Sequence, residues 1–255
     1  LKRPGNAGFF LRACLERGML FRGRFMRLFT LSIIVVLVGC ASPAQKAADS
    51  APVVTDSGSV QAYVAEGDVL QWYDIPFAKP PVGDLRWRAP EPLDAKSQLI
   101  SRRAEPAICP QLAGSVSGVE GDAAIGAEDC LYLDVTAPAS GTEPLPVMVW
   151  IHGGGNTTGH KNTYDFSRFV AEQKVIVVTI NYRLGPLGWF VHPALGDGPG
   201  TIANFGTLDI VAALGWVKRN IGAFGGDANN VTIFGESAGG HNVFTLLASP
   251  LSEGL

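Results

Sequence analysis

The stretch VTIFGESAGGHNVFTLLA, residues 231–248, restricts the possible folds more than any other part of the chain. An apolar run, Val231 to Phe234, meets G-E-S-A-G at 235–239, and a second apolar stretch follows at once. A strand must therefore turn into a helix with almost no loop between them. A serine on so sharp a turn is held in a strained backbone conformation, and the residues two before and two after it must be small. Gly235 and Gly239 meet that requirement. The turn lifts the Ser237 hydroxyl clear of the sheet, at a helix N-terminus where the Ala238 N–H points to the place an oxyanion would form. Ser237 is the candidate nucleophile; the competing reading is a glycine-rich turn with a helix-capping serine.

Two further runs, PVMVWIH (146–152) and VIVVTINY (175–182), are almost wholly apolar. Such runs suit parallel strands buried on both faces. Between strands, FGTLDIVAALGWVKRNI (205–221) repeats Leu208, Val211, Leu214, Val217 and Ile221 at helical spacing. Lys218 and Arg219 fall near its C-terminal end, where the helix dipole favours cations. Strands alternating with helices predict an α/β fold: a mostly parallel central sheet with helices on both faces. Upstream, residues 58–78 alternate apolar and polar around Glu66-Gly67-Asp68, which predicts a small N-terminal β-hairpin sheet. The proline-rich KPPVGDLRWRAPEP (79–92) reads as irregular surface chain.

A second glycine-rich piece, His152-Gly153-Gly154-Gly155, directly follows the 146–151 run. Consecutive glycines leave N–H groups unobstructed, so they can donate to a developing oxyanion. The same region imitates a phosphate-binding loop from Gly154 to Asn162, but His160 stands where lysine belongs. Neither Lys161 nor Asn162 offers the metal-binding hydroxyl, so nucleotide binding is set aside. A net charge of −3 over 255 residues gives no electrostatic reason for nucleic-acid binding. There is no Cys/His cluster at ligand spacing and no dinucleotide fingerprint, so neither metal nor organic cofactor is expected.

The N-terminus divides differently. Residues 26–40, MRLFTLSIIVVLVGC, have a basic start and an apolar run too short to span a bilayer comfortably. The run ends in Leu37-Val38-Gly39-Cys40, which resembles a bacterial lipobox with Cys40 as the lipidated residue. We expect translated upstream sequence over 1–18, a signal peptide with lipobox over 19–39, a flexible tether over 40–58, and the folded domain over 59–255. The product would be an exported lipoprotein, membrane-anchored and facing the periplasm or cell exterior.

DIPFAKPPVGDLRWRAPEP (74–92), EDCLYLDV (128–135), HGGG (152–155), NYRLGPLGWF (181–190) and FGGDANNVTIFGESAGG (224–240) together resemble the type B carboxylesterase/cholinesterase family. The resemblance covers about residues 59–255. It implies the α/β-hydrolase fold and a serine hydrolase of carboxylic esters working through an acyl-Ser237 intermediate. Gly154, Gly155 and Ala238 would be the oxyanion donors, with Glu236 tuning the electrostatics of the site. The family also implies a Cys109–Cys130 disulfide, which an exported domain would keep oxidised, and a buried structural ion pair, Arg86–Glu128.

The resemblance further implies a triad acid and a histidine far downstream of the nucleophile. Here the only carboxylate after Ser237 is Glu253 and the only histidine is His241, four residues along the same helix. His152 would brace the glycine loop, while His160 and His192 lie in loops. The chain is therefore expected to be the N-terminal part of an esterase, inactive on its own. The substrate would be a small-molecule ester. Residues 110–129 hold no aromatic, which argues against the cation–π capture used by choline-ester hydrolases. Asn156 stands where the family usually has an aromatic. Amide, carbamate or lactone hydrolysis on the same apparatus, or a non-catalytic adhesion protein on the same fold, are the alternatives.

Overall fold

The computed structural model describes residues 47–94, 99–101, 106–141, 143–195 and 203–255. The expected leader and lipobox, Cys40 included, lie outside the described residues. In chain order the first strands are β1 (Val53–Thr55), β2 (Gly58–Val60), β3 (Ala62–Ala65), β4 (Val69–Pro76) and β5 (Leu99–Ile100). Then come β6 (Gln111–Gly114), β7 (Val119–Ile125), β8 (Tyr132–Pro138), β9 (Leu145–Ile151), helix α1 (Ser167–Gln173) and β10 (Ile176–Ile180). The chain continues through α2 (Gly185–Gly188), α3 (Phe205–Asn220), β11 (Gly226–Gly235) and α4 (Ala238–Ala248).

The central sheet has the order β11-β9-β10-β8-β4-β3. β9 lies between β10 and β11 and runs parallel to both, with Val149 opposite Val178 on one side and Ile233 on the other. Successive residues of these strands serve two cores, as the pleat requires. Val147, Val149, Ile176 and Val178 pack with Ile210 and Leu214 of α3 and Leu246 of α4. Val177 and Met148 pack with Val170 of α1 on the opposite face. Helices thus cover both faces, and strands buried on both sides explain the uninterrupted apolar runs.

Several details differ from the sequence reading. The sheet is mixed, because β8 runs antiparallel to both β10 and β4. The predicted hairpin forms as β3–β4 around Glu66–Asp68, yet it extends the central sheet, with Trp72 opposite Val135 and Ile75 opposite Leu133. The separate small sheet is instead β1-β2-β5. Residues 47–58, read as tether, carry β1 and the Ala47–Tyr63 bridge, so regular structure starts before Ser59. Composition hid this because the attachment is made by backbone groups, by Asp56, which accepts hydrogen bonds from Arg219 and Asn220, and by Ser57, whose hydroxyl accepts from Trp216 Nε1 and donates to the Pro76 carbonyl. In α3, Ile210, Ala213 and Trp216 are buried while Leu208 and Val211 are half-buried, because those two fall with Gly215 and Lys218 on the least buried stripe of the helix.

Cys109 and Cys130 form a disulfide, both residues buried. It closes the base of the β6–β7 hairpin, whose β7 face is exposed. Beside it, Arg86 donates to Glu128 through Nε at 2.6 Å and Nη2 at 2.5 Å. The pair is partly exposed rather than buried, with side-chain exposures of 41% and 23%, because Arg86 sits in the irregular surface segment. Such a bidentate contact fixes geometry more than it adds stability in water. Among the described residues no helix is long and apolar enough to cross a membrane.

The disulfide bridges a sequence separation of 21, so its loss should cost about 3 kcal/mol by loop-closure entropy. Replacing Cys130 with Ser should lower the free energy of unfolding by that amount, read as a lower denaturant midpoint. A variant as stable as the parent would show that the bridge constrains nothing.

Candidate active site

The site begins where β11 stops. Ser237 has φ +54°, ψ −121°, a strained left-handed conformation for a non-glycine residue. The surrounding backbone enforces it. A Cβ on Gly239 would sit 2.0 Å from the Ile151 carbonyl oxygen, and one on Gly235 would sit 2.5 Å from the Gly239 carbonyl carbon. Only glycines let helix α4 leave the strand so close to β9. Gly239 N–H donates to the Glu236 carbonyl at 2.8 Å and His241 N–H to the Ser237 carbonyl at 3.1 Å, closing the turn into the helix. Ser237 and Glu236 are exposed, while Ala238 is buried behind them.

The glycine loop leaves β9 directly alongside this turn. A Cβ on Gly153 would lie 3.2 Å from Ser237 Cβ and 2.6 Å from Glu236 Oε2, so two segments 84 positions apart in the chain are in van der Waals contact. Gly154 and Gly155 have φ values of +99° and +63°. The Gly154 carbonyl accepts from Thr157 and Thr158 N–H groups, both at 3.1 Å, which curls the loop. Among the described residues, the Gly154 and Gly155 N–H groups donate to no backbone carbonyl.

Side chains from three directions hold this loop. Tyr182 donates its hydroxyl to the His152 carbonyl at 2.6 Å, and burial raises its pKa so that it stays protonated. Gln111 accepts from Thr158 Oγ1 at 2.6 Å and Gly159 N–H at 2.7 Å, and its amide donates to the Cys109 and Gly159 carbonyls. Asn242, on α4, donates to Asn156 Oδ1 at 3.0 Å. Beyond the loop, buried Lys161 places Nζ 2.6 Å from Asp134 Oδ1 and 3.0 Å from Asp74 Oδ1. That engagement explains why the Gly154–Asn162 pattern is not a phosphate cradle: its lysine is sealed between carboxylates. Arg183 and fully buried Asp209 form a second sealed pair, joined through Nε at 2.8 Å and Nη2 at 2.7 Å.

Among the described residues, no histidine ring is hydrogen-bonded to the Ser237 hydroxyl. His152 is buried, stacked on Tyr182, with its Nδ1 2.8 Å from the Gly153 carbonyl. A carbonyl only accepts, so this nitrogen carries the proton. His160 Nε2 lies 3.1 Å from the Ser117 carbonyl. His192 and His241 are exposed. A groove of about 500 Å³ lined by Leu214, Ile233, Leu246 and Leu255 lies beside β11, away from the Ser237 hydroxyl.

The sequence profile described as "Carboxylesterase family" matches residues 50–255. The chain belongs to that family. Para-nitrobenzyl esterase of Bacillus subtilis is 45% identical over 205 residues, covering 80% of this chain and 41% of that protein. Fumonisin B1 esterase of Sphingopyxis macrogoltabida is 48% identical over 205 residues, covering 78% and 37%. Among solved structures, a thermophilic PNB esterase superposes with a TM-score of 0.73 at 44% identity, over 80% of this chain and 42% of that one. The carboxylesterase of Geobacillus stearothermophilus gives 0.71 at 40% identity, over 81% and 42%. The fold is accordingly α/β-hydrolase, and the chain spans about two fifths of the length of these relatives.

Sequence reasoning placed Ser237, its flanking glycines and the glycine loop, and the structure puts them together. It missed Gln111, Tyr182 and Asn242, since nothing local marks a side chain whose partner is a distant carbonyl or amide.

Burial lowers the His152 pKa from 6.5 to about 4. Between those values the unfolded chain takes up a proton that the folded chain refuses, so this contribution to stability is lost as pH falls through the window. It amounts to about 3 kcal/mol at most. Asp134 and Asp209, whose pKa values burial raises, act in the opposite sense, so the comparison must be differential. Relative to His152→Gln, the parent should lose stability between pH 6.5 and 4. Parallel melting-temperature curves for the two proteins would show that His152 is not buried neutral.

Proposed function

We propose that this chain carries the nucleophile and oxyanion hole of a serine carboxylesterase acting on small-molecule esters. The observation that carries the reading is Ser237: exposed, at φ +54°, with the glycine loop in contact beside it. In this reading Ser237 Oγ attacks the ester carbonyl carbon, and the tetrahedral oxyanion takes hydrogen bonds from Gly154, Gly155 and Ala238. Collapse expels the alcohol and leaves an acyl-serine, which water then cleaves. Each oxyanion donor of this kind is worth about 10²–10³ in rate. Glu236, beside the nucleophile, adds negative potential that favours a protonated base during attack. The reading calls on no cofactor.

A base must take the serine proton, and no histidine of the described residues is placed to do so. The relatives extend well beyond the matched region. We assign the triad acid and histidine to the part of such a protein that corresponds to that extension. The two relatives, para-nitrobenzyl esterase and fumonisin B1 esterase, are both named as esterases, which favours an ester over an amide.

Two preparations test this. The intact gene product should hydrolyse p-nitrophenyl acetate, with Ser237→Ala lowering kcat by about 10⁴-fold or more. The 255-residue polypeptide alone should not exceed its own Ser237→Ala variant. Equal activity of parent and Ser237→Ala in the intact product would overturn the assignment.

We also propose that Cys40 is lipidated and holds the protein at a membrane surface. The support is the Leu37-Val38-Gly39-Cys40 sequence after a basic, then apolar, stretch. Cys40→Ser should move the exported protein from the detergent phase to the aqueous phase in phase partition. Partition unchanged by the substitution would refute lipidation.

A further inference from the structure

The three oxyanion donors come from two elements. Gly154 and Gly155 lie on the loop after β9, whereas Ala238 opens helix α4. A hole of this kind works only if its donors keep their relative positions within about 0.5 Å. Glycines carry no side chain that could anchor the loop, so its fixation must come from neighbours.

Asn156 ends the loop with φ +58°, a conformation asparagine tolerates better than most residues. Its carbonyl accepts from Gly185 N–H at 2.7 Å, which ties the loop to α2. Its side-chain oxygen accepts from Asn242 Nδ2 at 3.0 Å. Asn242 is 4% exposed and lies one turn beyond Ala238 on the same helix. Among the described residues, this is the side-chain hydrogen bond that joins the glycine loop to α4. Tyr182 extends the link: its hydroxyl donates to the His152 carbonyl at the start of the loop and lies 3.4 Å from Asn156 Oδ1.

We propose that Asn156 and Asn242 are positioning residues whose hydrogen bond sets the Gly154 and Gly155 donors in register with the Ala238 donor. This rests on the serine-esterase reading above. In the ground state the bond contributes little to substrate binding, because the oxyanion does not yet exist. Its loss lets the loop and helix shift relative to each other, and the penalty falls on the transition state. The effect therefore belongs in kcat, not KM.

The test uses the intact gene product and p-nitrophenyl acetate. Asn242→Ala removes the donor. Asn156→Gly removes the acceptor while suiting the left-handed backbone. Each should lower kcat about tenfold or more and leave KM within about twofold. The double variant should lose no more than either single one, as expected for two ends of one bond. Melting temperatures show that the variants are folded, and if Asn242→Ala fails to fold, Asn156→Gly alone decides. If kcat stays within about twofold of the parent in folded variants, or the two losses add, the brace is refuted while the esterase reading stands. Ser237→Ala serves as the control: if it retains activity, the esterase reading fails and the brace fails with it.

Discussion

The arrangement depends on one steric fact: the backbone at Gly235 and Gly239 lies against the end of β9 with no space for a side chain. That contact lets α4 start immediately after β11, which forces Ser237 into positive φ and turns its hydroxyl outward. It also places the exit of β9, and so the glycine loop, beside the serine. A methyl group at Gly239 would overlap the Ile151 carbonyl, and the strand pairing of β9 with β11 would have to open to relieve it. The local strain at Ser237 is sustained by packing on both faces of β9, where Val147, Val149 and Ile151 are buried on one side and Met148 packs into the core on the other.

A loop made of glycines is permissive by nature, and the structure compensates by fixing everything around it. Gln111 fastens the far end of the loop to the disulfide-closed hairpin, and Tyr182 and Asn242 fasten the near end. Farther out, Lys161 with Asp134 and Asp74, and Arg183 with Asp209, are sealed ion pairs that lock the flanking segments. Burying such charges yields little net stability, yet removing one partner strands the other in the core. These pairs are therefore intolerant of single substitution, and they suit a scaffold that must hold a loop in one place.

How much was legible beforehand follows from how local each signal is. The strand–serine–helix turn is contiguous, so Gly235, Ser237 and Gly239 announce themselves by spacing. The parallel strands are contiguous apolar runs, so β9 and β10 are bounded within a residue or two, whereas β11 begins at Gly226, five residues before its apolar run. Of the antiparallel half, the β3–β4 hairpin shows in its alternation around Glu66–Asp68, but its pairing with β8 does not, because β4 and β8 are about sixty residues apart and their pairing is a backbone property. Residues 47–58 were misread for the same reason: their attachment runs through main-chain bonds and the side chains of Asp56 and Ser57, whose partners are distant in the chain. Leu208 and Val211 look like the core of α3 by spacing, yet they lie on its least buried stripe, and Ile210, Ala213 and Trp216 join Leu214 and Val217 on the core side. The polar brace was invisible, since an asparagine pair 86 positions apart has no sequence pattern.

The central claim is that Ser237 is the residue that forms the covalent intermediate. Treating the intact gene product with a fluorophosphonate and mapping the adduct by peptide mass spectrometry tests it most directly. The account predicts a single modified peptide containing Gly235–Gly239, with the adduct on Ser237 and loss of esterase activity in step with labelling. An active esterase that is inhibited by the probe while its adduct sits elsewhere, leaving Ser237 unmodified, would contradict it.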